Sequence, residues 1–201
     1  MPFSWTRNQT EEVLALIHDI RPDMRTALQA RMRHLQRYGI PRGTNTGKGK
    51  AAAYGPAQIV SLAVAFELLQ LGLTPEHSCE LIREYENLIL HDSSQAAAGL
   101  TEDYKGGHML LVVNPSALSP LQKSKPEKLI GRGPANLLSD AFDSPVGGLG
   151  GSVAIIDLKW ITRAVAEASE QLGFTKSDVV RHDIYDLGTA SLGLELPTFK
   201  W

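Results

Sequence analysis

Residues 25–43 read RTALQARMRHLQRYGIPRG. On a helical wheel of residues 22–38, Leu28, Met32 and Leu35 fall within about 60° of one another, the arc that a buried stripe occupies. Thr26, Ala30, Arg33 and Arg37 fall on the opposite face, with Gln29 near its edge. Pro22 suits the first turn of this helix. Gly39 stops it near Tyr38, and Pro41 prevents its continuation. Arg33 and Arg37 form a like-charged i,i+4 pair, which costs a few tenths of a kcal/mol in an isolated helix. A phosphate or a guanine edge reverses that cost, because a guanidinium donates two parallel hydrogen bonds to guanine O6 and N7. The competing reading is an exposed helix that serves only solubility.

Outward from this helix, the charge is unevenly spread. Residues 21–50 carry eight basic side chains and one acid, a net of +7, while the rest of the 201-residue chain carries −9. A concentrated basic segment on an otherwise acidic body suggests a local polyanion site. Residues 42–53 (RGTNTGKGKAAA) read as a glycine-rich loop or short hairpin. Lys48 and Lys50, two apart, point to one side of a strand, and the flanking glycines allow the backbone to approach a phosphate. A nucleotide loop is not expected, since no buried strand precedes these glycines and the G-x-x-x-x-G-K-[ST] spacing is missing.

Residues 9–20 are expected to form an amphipathic helix capped by Thr10. Gly55-Pro56 opens a helix that Gly72 ends. Its apolar residues occupy two faces, Ile59, Leu62, Phe66 and Leu69 on one and Val60, Val64, Leu68 and Leu71 on the other, so it should be sandwiched. One face is expected on the helix that carries Arg33. The other is expected on a helix from Pro75 to about Leu90, through Leu81, Tyr85 and Leu88, or on a second subunit. Thr74 caps that later helix.

The segment MRHLQRYGIPRG (32–43), the basic loop, and AYGPAQIVSLAVAFELLQLGLTPEHSCELI (53–82) resemble the DNA-binding domain of MerR-type regulators. In that family a recognition helix ends in a glycine turn, a wing closes on an aromatic residue, and a helix pair follows, joined by a Leu-Gly-hydrophobic-Ser/Thr turn. Here that turn is Leu71-Gly72-Leu73-Thr74. The likeness covers about residues 24–90. It implies a winged helix-turn-helix that binds double-stranded DNA for transcription regulation. Arg33 and Arg37 would then lie on the recognition helix, and Lys48, Lys50 and Tyr54 in the wing. Arg25, Thr26, Gln29 and Arg42 complete the expected DNA-binding set.

The second half differs in texture. Residues 92–107 (DSSQAAAGLTEDYKGG) read as a linker. His108–Asn114 and Ser152–Asp157 are short apolar runs typical of buried strands. Residues 115–151, rich in Pro and Gly, read mostly as loop. Residues 158–172 form an amphipathic helix, and Thr175 with Asp178 resembles a capping box before a last helix. The expected organisation is therefore a DNA-binding domain over 1–91, a linker over 92–107 and an α+β dimerisation or effector domain over 108–201, mostly α overall. Two strands alone make a marginal sheet, so further strands from the loop region or a second subunit should complete it. A homodimer also suits two DNA half-sites.

Other chemistry is sparse. Cys79 is the single cysteine, which excludes an intramolecular disulfide and a multi-cysteine zinc site and fits the cytoplasm. The N-terminus carries no basic stretch followed by an apolar run, and no apolar stretch reaches the roughly 18 residues of a membrane span. No two of the six histidines stand at metal-ligand spacing. His182 with Asp183 and Asp186 reads as a surface helix end rather than a metal site. No G-x-S-x-G elbow or paired carboxylates point to catalysis, so neither an enzyme nor a cofactor is expected. Partners beyond DNA are a small-molecule effector bound by the second half, or RNA polymerase. A protein-interaction adaptor built on the same scaffold is the alternative from another class.

Overall fold

A computed structural model describes residues 1–44, 51–100, 108–114, 129–134 and 153–192. The chain is mostly helical with a small antiparallel sheet, an α+β architecture. Helix α1 spans Arg7–Ile17. A 3-10 turn at Pro22–Met24 leads into α2, Arg25–Arg37. Helices α3, Pro56–Gln70, and α4, Pro75–Ala98, follow. Strands β1 (Met109–Val113), β2 (Leu129–Pro134) and β3 (Ala154–Asp157) precede α5, Leu158–Gln171, and α6, Ser177–Leu192. No helix among the described residues is long and apolar enough to cross a membrane.

The first helix starts one turn earlier than the expected Thr10 cap. Thr6 is the N-cap, its hydroxyl accepting from the Gln9 amide while the Gln9 side chain takes the Thr6 N–H. This reciprocal pair satisfies two donors that a helix start leaves free. Thr10 is instead buried, and its hydroxyl donates to the Thr6 carbonyl. At the other end of the region, α2 stops as expected. Gly39 takes φ +82, and the Ile40 amide donates back to the Leu35 carbonyl. That closure satisfies orphan carbonyls and needs the left-handed conformation that glycine adopts without strain.

The largest correction concerns residues 92–98. They continue α4, with a kink at Tyr85, instead of forming a linker. Asp92, Ser93, Ser94, Ala96, Ala97 and Ala98 are all buried, and this stretch contributes to the packing of α4 on α6. Small side chains let two helices approach closely, which a wheel of large apolar residues does not reveal. Residues 101–107 of the expected linker lie outside the described residues.

Helix α3 is sandwiched, and the helix from Pro75 is one of its covers as expected, but the other face lies on α5 and α6 instead of α2. It packs chiefly against α4, α5 and α6, so the second half of the chain closes over it. Leu71, assigned to one of its faces, is exposed in the turn that follows. The three strands are ordered β2-β1-β3, both pairs antiparallel, with Leu111 facing Arg132 on one side and Ile156 on the other. The third strand thus comes from the loop region. Central β1 buries Leu111 and Val113 in the core shared with the helices, and Val112, on the opposite face, is buried as well. Helix α5 is capped by Asp157, which accepts from the Lys159 and Trp160 amides. Thr175 does not cap α6; its hydroxyl accepts from the Trp5 indole.

Candidate nucleic-acid interface

The geometry of α2 follows from its stripe. Leu28, Met32 and Leu35 are buried, and the turn set by Gly39 pins the C-terminal end. Thr26, Ala30, Arg33 and Arg37 consequently face solvent. Among the described residues, neither Arg33 nor Arg37 has an ion-pair partner. Two uncompensated guanidiniums one turn apart are chemically suited to phosphates or to acceptor-rich base edges.

Arg25 and Gln29 serve another purpose. Gln29 donates to the Glu11 carboxylate at 2.9 Å, and Arg25 reaches Glu12 at 3.1 Å and the Glu11 carbonyl at 3.4 Å. Glu11 is itself buried and also pairs with Arg7 at 2.8 Å. These side chains hold α2 against α1 and are not free for an external ligand. Arg42 is similarly engaged: its guanidinium pairs with Glu86 at 2.8 Å and donates to the Arg83 carbonyl. Burial pushes the Glu86 carboxyl up, and Arg42 opposes that shift.

Tyr54 is a core residue with no exposed surface, which corrects its assignment as a DNA contact. Its phenol accepts from Gln36 Nε2 at 2.6 Å, and its backbone exchanges two hydrogen bonds with Trp5. It therefore anchors the end of the basic loop to α2 and to the N-terminal segment. Lys48 and Lys50 lie outside the described residues.

Two further side chains went unnoticed in the sequence. His34, exposed on α2, stacks on Tyr38 with ring centroids 5.4 Å apart. His18, at the end of α1, stacks on Phe66 of α3 and bonds through Nδ1 to Gln70 Nε2 at 2.8 Å. Burial lowers its pKa to about 4, so the ring is neutral at pH 7. No single-residue signal in the sequence separates a buried histidine from an exposed one. Cys79 is buried, and burial lifts its thiol to about 11, which removes it as a nucleophile. Among the described residues no group of His, Cys, Asp and Glu is arranged to hold a metal.

The described face thus unites Thr26, Arg33 and Arg37 on one exposed helix surface, and assigns Arg25, Gln29, Arg42 and Tyr54 to holding that helix in place. Comparison with known proteins returns no matching family model, no similar curated protein and no similar solved structure.

Proposed function

We propose that this chain is a sequence-specific double-stranded DNA-binding transcriptional regulator of the winged helix-turn-helix type. In this reading α2 lies in the major groove, with Arg33 and Arg37 toward base edges or phosphates, and the basic loop of residues 43–54 rides on the backbone as a wing. The observation that carries it is the pair of solvent-facing arginines, without acidic partners among the described residues, on a helix whose opposite face is locked into the core. A helix of this diameter, roughly 10–12 Å, matches the width of the B-DNA major groove. The tie between Tyr54 and Trp5 supports a wing that leaves the core at a fixed point.

Binding of genomic fragments by the full chain, followed by anisotropy titrations on a recovered duplex, tests the proposal. Affinity should fall steeply with salt, by a logarithmic slope of about 0.9 per phosphate neutralised. Arg33→Ala should cost about 1–3 kcal/mol and relax discrimination at one position, whereas Lys48→Ala should weaken all duplexes alike. Wild-type affinity in both variants removes α2 and the loop as the reading elements. A homodimer is part of this proposal: β3 is a sheet edge with Ile155 exposed on it. Sedimentation as a monomer at micromolar concentration argues against it.

A further inference from the structure

We propose that Gln58 is the positioning residue of the basic loop: its side-chain amide ties Arg42 to Gly55 and closes the neck of the segment that carries Lys48 and Lys50. The consequence for DNA, that the two lysines meet the phosphate backbone from a fixed base, rests on the DNA-binding proposal. The closed neck does not.

Gln58 lies in the first turn of α3. Its Oε1 accepts from the Gly55 N–H at 3.1 Å, and its Nε2 donates to the Arg42 carbonyl at 3.1 Å. The partners fix the orientation of the amide, because an N–H requires an acceptor and a carbonyl requires a donor. Lys48 and Lys50 stand between Arg42 and Gly55 in the sequence. The chain thus leaves and re-enters the core across one side chain. Few side chains of this length could do the same: ionised Glu only accepts, Lys only donates, and Met offers no more than a weak acceptor.

Both ends of the neck are held by other contacts as well. The Arg42 guanidinium pairs with Glu86 of α4 at 2.8 Å. The Thr44 hydroxyl donates to the Pro41 carbonyl at 2.9 Å in a buried turn. On the exit side, Tyr54 exchanges two backbone hydrogen bonds with Trp5. Glycine at position 55 leaves room for the amide, since a Cβ there would lie 3.3 Å from Gln58 Oε1, tighter than an ordinary contact.

A closed neck matters energetically. Ordering a charged loop on a ligand costs conformational entropy, and a neck closed in the free protein removes part of that cost in advance. The same amide caps α3 at Gly55, so capping has to be separated from positioning. Gln58→Met removes both hydrogen bonds at nearly unchanged length. Gln58→Glu keeps the acceptor for Gly55, and with it the cap, and loses the donor to Arg42.

The test uses the full chain and has two arms. Hydrogen exchange reads the neck without DNA. The Gly55 amide should exchange about fivefold faster in Gln58→Met, as the loss of one hydrogen bond implies, and at the wild-type rate in Gln58→Glu. Unchanged exchange in Gln58→Met overturns the closed neck. Duplex anisotropy reads positioning. Gln58→Met should weaken all duplexes alike by about fivefold. In a Lys48→Ala/Lys50→Ala background the same substitution should change affinity less than about twofold, because it acts through those lysines. Gln58→Glu takes its place in this cycle if Gln58→Met does not fold. Equal losses in both backgrounds, as a mere cap would give, overturn the positioning role, and so does wild-type affinity in Gln58→Met. A wild-type protein that binds no duplex removes the DNA reading and the positioning role together, while exchange at Gly55 still decides the neck.

Discussion

Helices α2 and α3 have nearly the same length, 13 and 15 residues, and are used in opposite ways. Helix α2 buries three side chains, Leu28, Met32 and Leu35, and turns the rest outward or into polar ties with α1. Helix α3 buries ten residues, including Ile59, Leu62, Val64 and Leu68, under covers from both halves of the chain. A helix buried over most of its surface can change few residues without disturbing the core, whereas a helix buried along one stripe can change its outer residues freely. Stability therefore resides in α3, and α2 is free to carry recognition.

The strongest way to break this contrast is to hollow out α3. Leu68→Ala should destabilise the protein by about 2–5 kcal/mol, read as a lower urea midpoint, because a well-packed site relaxes only partly around a cavity. A loss under 1 kcal/mol, judged against that range, would place the burden of stability elsewhere.

Acid comes next. The His18 ring, stacked on Phe66 of α3, accepts its proton near pH 4 when folded and near 6.5 when unfolded. Between these values the unfolded chain binds more protons. The stability contributed by the neutral ring is thus complete above about pH 6.5 and is lost as pH falls toward 4, by up to about 3 kcal/mol. His18→Phe should flatten this part of the stability profile relative to wild type. Parallel profiles in the two proteins would mean that the ring takes up its proton without cost.

Tyr54→Phe should cost about 1 kcal/mol by removing the hydrogen bond between Gln36 Nε2 and the phenol. It sharpens the comparison because it separates anchoring from recognition: unfolding should change while contacts made by the loop itself do not. The smallest effect belongs to the outer face of α2. Arg33→Ala and Arg37→Ala should shift stability by less than about 0.5 kcal/mol, with a slight gain available from relieving their mutual repulsion. A loss well above that would reveal a partner for them inside the fold.

What the sequence disclosed depended on side-chain size. The stripes of α2 and α5, the apolar mass of α3 and the runs that became β1 and β3 were readable because large apolar residues announce their own burial. The end of α4 was not, since DSSQAAA buries through small residues that a hydrophobic count overlooks, although its alanines are strong helix formers. Strand β2 escaped for a related reason: LIGRGP looks like a turn, and only pairing with β1 holds it extended. The Thr6-x-x-Gln9 capping box was present in the letters and was passed over for Thr10. For the site, helical spacing was enough to place Thr26, Arg33 and Arg37 on one exposed face. It gave no hint that Arg25, Gln29 and Arg42 are matched to acids on α1 and α4, because charge partners distant in sequence leave no periodic trace. Tyr54 reads as a loop residue until its backbone is seen paired with Trp5.

The contact between Phe3 and Asp183 bears on how the molecule is made. The Phe3 amide donates to the buried Asp183 carboxylate at 2.6 Å, and the Trp5 indole donates to Thr175 at 3.1 Å. At translation rates of about 5–20 residues per second, the acceptors leave the ribosome roughly ten seconds or more after the donors. For that interval the N-terminal segment has neither Thr175 nor Asp183 to bond, and α3 lacks the covers that α5 and α6 later provide. Helix α4 can cover α3 soon after both are made, but the faces of α3 that meet α5 and α6 stay open until those helices have been synthesised.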